Sequence, residues 1–79
     1  MSENADAILD VRSELRGRRH ELVFDRYRAL SRGSAFVLVN NRDPKPLRHQ
    51  FDAECAGGVS WDYVERSLDI WRVRIGRAT

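Results

Sequence analysis

The sequence is poor in cysteine and in long apolar runs. Cys55 is the only cysteine, so neither a disulfide nor a cluster of thiolate ligands can form within one chain. Such a chain suits a reducing compartment, and we expect it in the cytoplasm. The longest apolar run, residues 35–39, is far shorter than the roughly 20 residues of a membrane helix. The N-terminal residues also lack the basic and then apolar pattern of a secretion signal, so we expect no membrane contact.

Lysine is nearly absent, although the chain is basic. Lys45 is the only lysine among 14 basic residues, and the formal net charge is +2. The planar guanidinium of arginine suits carboxylate and phosphate groups better than an ammonium does. Positive charge concentrates in residues 16–32, whereas residues 1–15 are net negative. A net charge this small attracts nucleic acid only weakly over long distances, so composition disfavours a nucleic-acid partner.

The spacing of apolar residues predicts six secondary-structure elements. They are a strand at 7–12, a helix at 19–32, a strand at 35–40, a helix at 46–56, and strands at 59–65 and 70–75 joined by a turn at 67–69. Gly33 and the Gly57-Gly58 pair are expected to end the two helices. The strand at 35–40 is apolar on both faces, which is typical of an interior strand.

The order βαβαββ predicts the fold class. We expect an α+β protein, a two-layer sandwich in which both helices cover one face of a four-stranded mixed sheet. A chain of this length forms one domain, which we place at residues 7–77, behind a flexible tail of residues 1–6. Small domains bury a modest share of their surface, so homodimerisation stays open as a further source of stability.

Both prolines lie in the segment NRDPKPL, between the second strand and the second helix. The residue before a proline avoids helical geometry, so Asp43 and Lys45 are expected to be extended. Pro46 fits the first turn of a helix, where its missing N–H group would have had no partner. These constraints determine where Arg42, Asp43 and Lys45 point.

Four segments, LDVR, VNNRDPKPLRHQF, VSWDYVE and IWRVRIGR, make the chain resemble an uncharacterised bacterial family, the domain of unknown function 2249, over about residues 8–77. That family is grouped with the TusA-like, or SirA-like, sulfur carriers, and the resemblance implies their βαβαββ sandwich. The carriers hold persulfide on a Cys-Pro-x-Pro motif at the start of helix one, where the pKa of the thiol is lowered. Here that turn reads LRGRRH. The resemblance therefore leaves a degenerate carrier without its active cysteine as one alternative.

The loop before the second helix departs from the pattern of this family. Family members often resemble Asp-His-Asp-Pro-x-Pro-Leu there, whereas this chain has Asn41 and Arg42 in the first two positions. The pair Arg19-His20 does match the Arg-His pair of the family. Some relatives are joined to hemerythrin-like domains, an association that points to redox settings.

The loops after the first two strands carry the candidate site. If the Leu9 and Leu38 segments are parallel neighbours, both loops leave the sheet at one edge, as ligand crevices do in α/β folds. Two helix N-termini, which favour anions, lie there as well. The sequence therefore predicts a site for a small anion or an acidic protein partner, formed by Arg12, Arg19, His20, Asn41, Arg42, Asp43 and Lys45. The alternative is that these are solvated charges in loose ion pairs, each worth about 0–1 kcal/mol.

No pattern of catalytic residues accompanies this site. The histidines and Cys55 are too few and too scattered for a metal centre, and the serines lack a neighbouring base. We therefore expect a binding or regulatory module without enzyme activity or cofactor. Trp61, Tyr63 and Trp71, with Arg72 and Arg74 nearby, offer an alternative, an RNA-binding surface, although the strand parity of the aromatic residues favours a place in the core.

Overall fold

The computed structural model describes residues 6–78. Six elements follow one another in the predicted order: β1 (Ala7–Asp10), α1 (Arg16–Arg28), β2 (Ala35–Asn40), α2 (Lys45–Glu54), β3 (Val59–Arg66) and β4 (Trp71–Arg77). The strands form one four-stranded sheet in the order β1-β2-β4-β3. β1 and β2 are parallel, while β4 is antiparallel to both of its neighbours. The predicted α+β architecture with a mixed sheet is confirmed.

The parallel pairing of β1 with β2 is the feature on which the candidate site depends. Leu9 lies opposite Leu38, and one step further the amide of Val11 donates to the carbonyl of Val39 at 3.0 Å. Each strand leads into a helix. The β1–α1 loop (residues 11–15) and the β2–α2 loop (residues 41–44) therefore leave the sheet at the same edge.

Both helices lie against one face of the sheet. Phe36 and Leu38 of β2 and Val73 and Ile75 of β4 share that face, and all four are fully buried. They pack with the buried side chains of the helices, which are Val23, Phe24, Tyr27, Leu47 and Phe51. One apolar core therefore holds the two layers together.

The opposite face of the sheet carries no helix, yet Val39 is only 2% exposed there. Its cross-strand neighbour is Arg72, whose Nε donates to Glu65 at 2.6 Å. Arg74, two positions along β4, donates through Nε to Asp6 at 2.8 Å. The stem of an arginine covers apolar surface while its charged end stays in water. β2 is therefore interior, because helices cover one of its faces and the arginine side chains of β4 cover part of the other.

The helix starts differ in detail from the sequence-based predictions. Of the predicted flexible tail, residues 1–5 lie outside the described residues, and Asp6 accepts a hydrogen bond from Arg74. α1 begins at Arg16, three residues before the predicted start, because its first turn contains no apolar residue that spacing could detect. Lys45, expected to be extended, is the first residue of α2, with Pro46 in the first turn as predicted.

The helices also end earlier than predicted, and glycine serves a different purpose. After α1, the amide of Ser34 donates to the carbonyl of Ser31 in a turn whose third residue, Gly33, has φ of 84°. Gly57, with φ of 77°, has the same place in the turn that follows α2. Glycine adopts such angles without steric penalty. Both glycines therefore shape separate reverse turns beyond the helix ends.

A register shift interrupts β3 between Tyr63 and Glu65. Val64 is left 60% exposed, Glu65 pairs with Arg72, and Arg66 pairs with Trp71. Simple alternation would have put Glu65 on the core-facing side. Because of the shift, Arg66 lies there instead, with its guanidinium 4.5 Å from the centre of the Tyr63 ring.

Candidate anion-binding cleft

A cleft of about 150 Å³ lies between the β1–α1 and β2–α2 loops, at the carboxyl ends of the two parallel strands. Its floor is apolar and buried, formed by Val11, Val23, Leu38 and Leu47, with the two prolines beside them. The polar residues that line it are Arg16, Arg19, His20, Asn40, Arg42 and Asp43. The cleft therefore combines a hydrocarbon floor with a mainly cationic rim.

Arg19 ties the two loops to each other. Its Nε donates to the carbonyl of Glu14 and its Nη2 to that of Arg12, both at 3.0 Å. Its Nη1 donates to the side-chain oxygens of Asn40 at 2.9 Å and Asn41 at 3.1 Å. These bonds use all but one of the N–H groups of the guanidinium. Arg19 therefore holds the rim in shape and has little capacity left for a ligand.

Asn40 is the partner that makes this arrangement rigid. It ends β2 and is 8% exposed, and it is the one buried residue with an amide or charged side chain among residues 6–78. Its Oδ1 accepts from the amide of Asn41 at 2.8 Å as well as from Arg19. A buried amide oxygen without such donors would be costly, so Asn40 and Arg19 depend on each other. The sequence signal was an asparagine at the end of an otherwise apolar strand.

His20 joins the two helices at the side of the cleft. Its Nδ1 lies 2.9 Å from Oε1 of Gln50. The side-chain nitrogen of Gln50 donates to a carboxylate oxygen of Glu54, also at 2.9 Å. Because Oε1 only accepts, Nδ1 must be the protonated donor. The bond therefore leaves Nε2 of His20 as the ring nitrogen that can meet a ligand.

Two arginines of the rim have unused donors. Arg16 and Arg42 are exposed, and within the described part of the chain the guanidinium of neither forms a hydrogen bond or an ion pair. Arg16 also lies in the first turn of α1, where backbone N–H groups lack partners within the helix. These two guanidinium groups are the charges that an entering anion would meet.

Arg12 lies outside the cleft, although the sequence placed it in the site. Its guanidinium pairs with Asp10 at 2.7 Å, and these hydrogen bonds hold the pKa of the Asp10 carboxyl below its usual value. Asp10 has the strand parity of Ile8, on the face without helices. Arg12 contributes its backbone carbonyl to the rim, as an acceptor for Arg19.

The cleft thus gathers only part of the predicted site. Arg19, His20, Arg42 and Asp43 line it together, while Arg12, Asn41 and Lys45 do not. Asn41 supports Arg19 from outside, and Lys45 lines a neighbouring groove. The lining residues that the predicted set lacked are Arg16, Asn40 and the apolar floor.

Asp43 connects the cleft to β3. Its Oδ1 accepts a hydrogen bond from the hydroxyl of Tyr63 at 2.8 Å, so the β2–α2 loop is attached to the far edge strand of the sheet. Burial, and then this bond to a carboxylate, raise the pKa of Tyr63 above its usual value. Burial also raises the pKa of Tyr27, whose hydroxyl donates to the carbonyl of Gly58.

We expect both tyrosines of the chain to ionise above the ordinary pKa of 10.0 in the folded protein. Since both pKa values are raised in the folded state, these tyrosines do not lower the free energy of unfolding below pH 10. That free energy should fall as pH rises from 10 through the folded pKa values, because the unfolded chain releases its protons first. Ultraviolet absorbance of tyrosinate measures the titration. The Asp43→Asn variant should lower the pKa of Tyr63 and leave that of Tyr27 in place. Two tyrosines that titrate in the native protein as they do in urea would contradict this.

The aromatic row on β3 and β4 faces the helices. Trp61 and Tyr63 pack against the core, and the indole nitrogen of Trp61 is buried without a hydrogen-bond partner among residues 6–78. Over the same residues, no three His, Cys, Asp or Glu side chains lie together as a metal site requires. Neither of the described helices has the length and apolar character to cross a membrane.

Comparison with known proteins identifies a family. No curated protein and no solved structure matches the chain. The family described as "Uncharacterized conserved protein (DUF2249)" matches residues 8–77, a span that includes both helices, most of β1, the other three strands and both loops of the cleft. The chain therefore belongs to the DUF2249 family, as its resemblance in sequence indicated.

Proposed function

We propose that the chain is a binding module that takes a small carboxylate with an apolar body into the cleft. The observation that carries this proposal is the buried apolar floor beneath two guanidinium groups, those of Arg16 and Arg42, which have no partner among the described residues. A carboxylate would accept hydrogen bonds from these two guanidinium groups. Such charge-assisted hydrogen bonds are roughly twice as strong as hydrogen bonds between neutral groups.

The floor decides which anion fits best. Inorganic phosphate would use the arginines but leave Val23, Leu38 and Leu47 without a ligand group to cover. A short hydrocarbon chain gains about 0.8 kcal/mol for each methylene that it buries. A cleft of about 150 Å³ admits a short chain and excludes a large ring system. An acidic partner segment would use the same site through one carboxylate and its aliphatic stem.

A series of carboxylates tests the proposal by calorimetric titration. From acetate to butyrate to hexanoate, affinity should rise about threefold to fourfold for each methylene until the cleft is full. Arg42→Ala should weaken hexanoate binding about tenfold, and added salt should reduce that difference. These two trends separate binding in the cleft from general attraction of anions.

Arg32→Ala is the matched control. Arg32 is exposed and lies beyond the C-terminal end of α1, whereas the cleft lies at the N-terminal end, roughly 18 Å away for a helix of this length. The substitution removes the same charge and should leave affinity unchanged. Equal losses in the two variants, or equal affinity for phosphate and hexanoate, would refute the proposal.

We also propose that the chain acts in the cytoplasm and has a TusA-like fold. A single cysteine and no disulfide suit the cytoplasm. The βαβαββ order agrees with a place among the TusA-like folds, and Cys55, half-buried beyond α2, does not line the cleft, which argues against sulfur transfer there. We propose no catalytic step.

A further inference from the structure

We propose a second ligand site, separate from the cleft, in the groove between α2 and the β3–β4 hairpin. Its ligand would be a phosphate ester of a planar ring compound, for which a nucleoside monophosphate is the simplest example. The groove has a volume of about 410 Å³, within the usual range for small-molecule sites and larger than the cleft. Its walls are Arg48, His49 and Asp52 of α2 and Tyr63, Arg66 and Trp71 of the hairpin.

The hairpin side of the groove presents aromatic rings. Tyr63 and Trp71 are 6.1 Å apart between ring centres and meet edge to face at 70°. Trp71 is half-buried, and its indole N–H makes no hydrogen bond within the described chain. Planar ring compounds of many kinds stack on aromatic side chains, and the indole N–H of Trp71 offers a hydrogen-bond donor. This wall therefore accounts for the planar part of the ligand.

Cations lie on both walls of the groove. Lys45 and Arg48 on α2 are exposed, and the described residues provide neither with an ion-pair partner. Arg66 faces them from β3, held over Tyr63 by the register shift in that strand. Its own donors are directed at no acceptor in residues 6–78. Guanidinium groups bind phosphate oxygens through paired, charge-assisted hydrogen bonds, so the groove can hold one phosphate group.

Two carboxylates in the same groove limit how many phosphates it can take. Asp43 and Asp52 line it as well, and they would repel a continuous run of phosphates. The net charge of +2 for the whole chain gives little further attraction to a polyanion. A purely acidic peptide, for its part, would leave the two rings without a role. A single phosphate on a planar ring uses both the cations and the rings.

Tryptophan fluorescence in a Trp61→Phe variant gives the test, because Trp71 is then the only indole. Adenosine monophosphate should quench it saturably, adenosine should bind at least about tenfold more weakly, and inorganic phosphate should cause little quenching. Arg48→Ala should reduce the affinity for adenosine monophosphate about tenfold, while Arg32→Ala, which removes a distant charge, should not change it.

If Trp61→Phe does not fold, the indole N–H signals of the unmodified protein provide the same measurement by NMR. The signal of Trp71 should move with adenosine monophosphate, and that of Trp61 should stay. An unchanged Trp71, equal binding of adenosine and its monophosphate, or tighter binding of an oligonucleotide or a glutamate-rich peptide would each overturn this proposal. None of these results bears on hexanoate binding in the cleft, which is measured separately.

Discussion

Replacing Arg19 with alanine is expected to lower the free energy of unfolding by about 2–4 kcal/mol, which is a large effect for one half-buried arginine. The substitution removes four hydrogen bonds at once. It leaves the buried side-chain oxygen of Asn40 with only the amide of Asn41 as a donor, and it frees two loop carbonyls. The loops would also lose the link that sets their spacing, so hexanoate binding should weaken in parallel. Urea denaturation measures the change in stability.

Arg18→Ala is the control at the neighbouring position. Arg18 is exposed and only approaches Glu21, at 3.4 Å, so its loss should change stability by no more than about 0.5 kcal/mol. Arg19→Lys should recover little, because an ammonium cannot reproduce the planar set of donors. Similar stabilities for Arg18→Ala and Arg19→Ala would show that Arg19 does not hold the loops.

Phe51→Ala is expected to lower the free energy of unfolding by about 3–5 kcal/mol, a large part of the roughly 5–15 kcal/mol that is typical of a folded domain. Phe51 is fully buried and lies at the centre of an aromatic group. Its ring stacks on Phe24 at 4.1 Å between centres and meets Tyr27 edge to face at 5.1 Å. Trp61 lies 6.3 Å away on the sheet side. Removing the ring would open a cavity where both helices meet the sheet.

Phe51→Leu tests whether volume or ring geometry provides this stability. Leucine keeps much of the buried surface, so its cost should be about 1–2 kcal/mol and the unfolding transition should stay cooperative. Circular dichroism during thermal unfolding follows both variants. An alanine variant that melts at the temperature of the original protein would mean that α2 is not packed as described.

Periodicity was enough to predict the layers because burial repeats along the chain. The four strands and the two helices followed from which residues must avoid water. The parallel pairing of Leu9 with Leu38 was an assumption, and the sheet register confirms it. The register shift at Val64 could not be predicted this way, because nothing in the alternation marks an extra residue. The start of α1 was missed for a related reason, since its polar first turn leaves no apolar trace.

The sequence predicted where the candidate site lies, but it did not predict every residue that lines it. Parallel strands brought the right loops together, which placed Arg19, His20 and Arg42 near one another. Which arginine has free donors depends on backbone carbonyls and on Asn40, and the sequence does not show those contacts. The place of Arg12, by contrast, follows from strand parity with Asp10 and could have been derived.

Amide NMR during a hexanoate titration tests most directly whether the cleft binds an apolar carboxylate. Signals from residues 12–20 and 40–47, which form the two loops and the helix starts around the cleft, should shift together and saturate. Signals from the hairpin turn at residues 67–70 should stay in place. Shifts that are absent, that fail to saturate, or that fall on the sheet face without helices would contradict binding in the cleft.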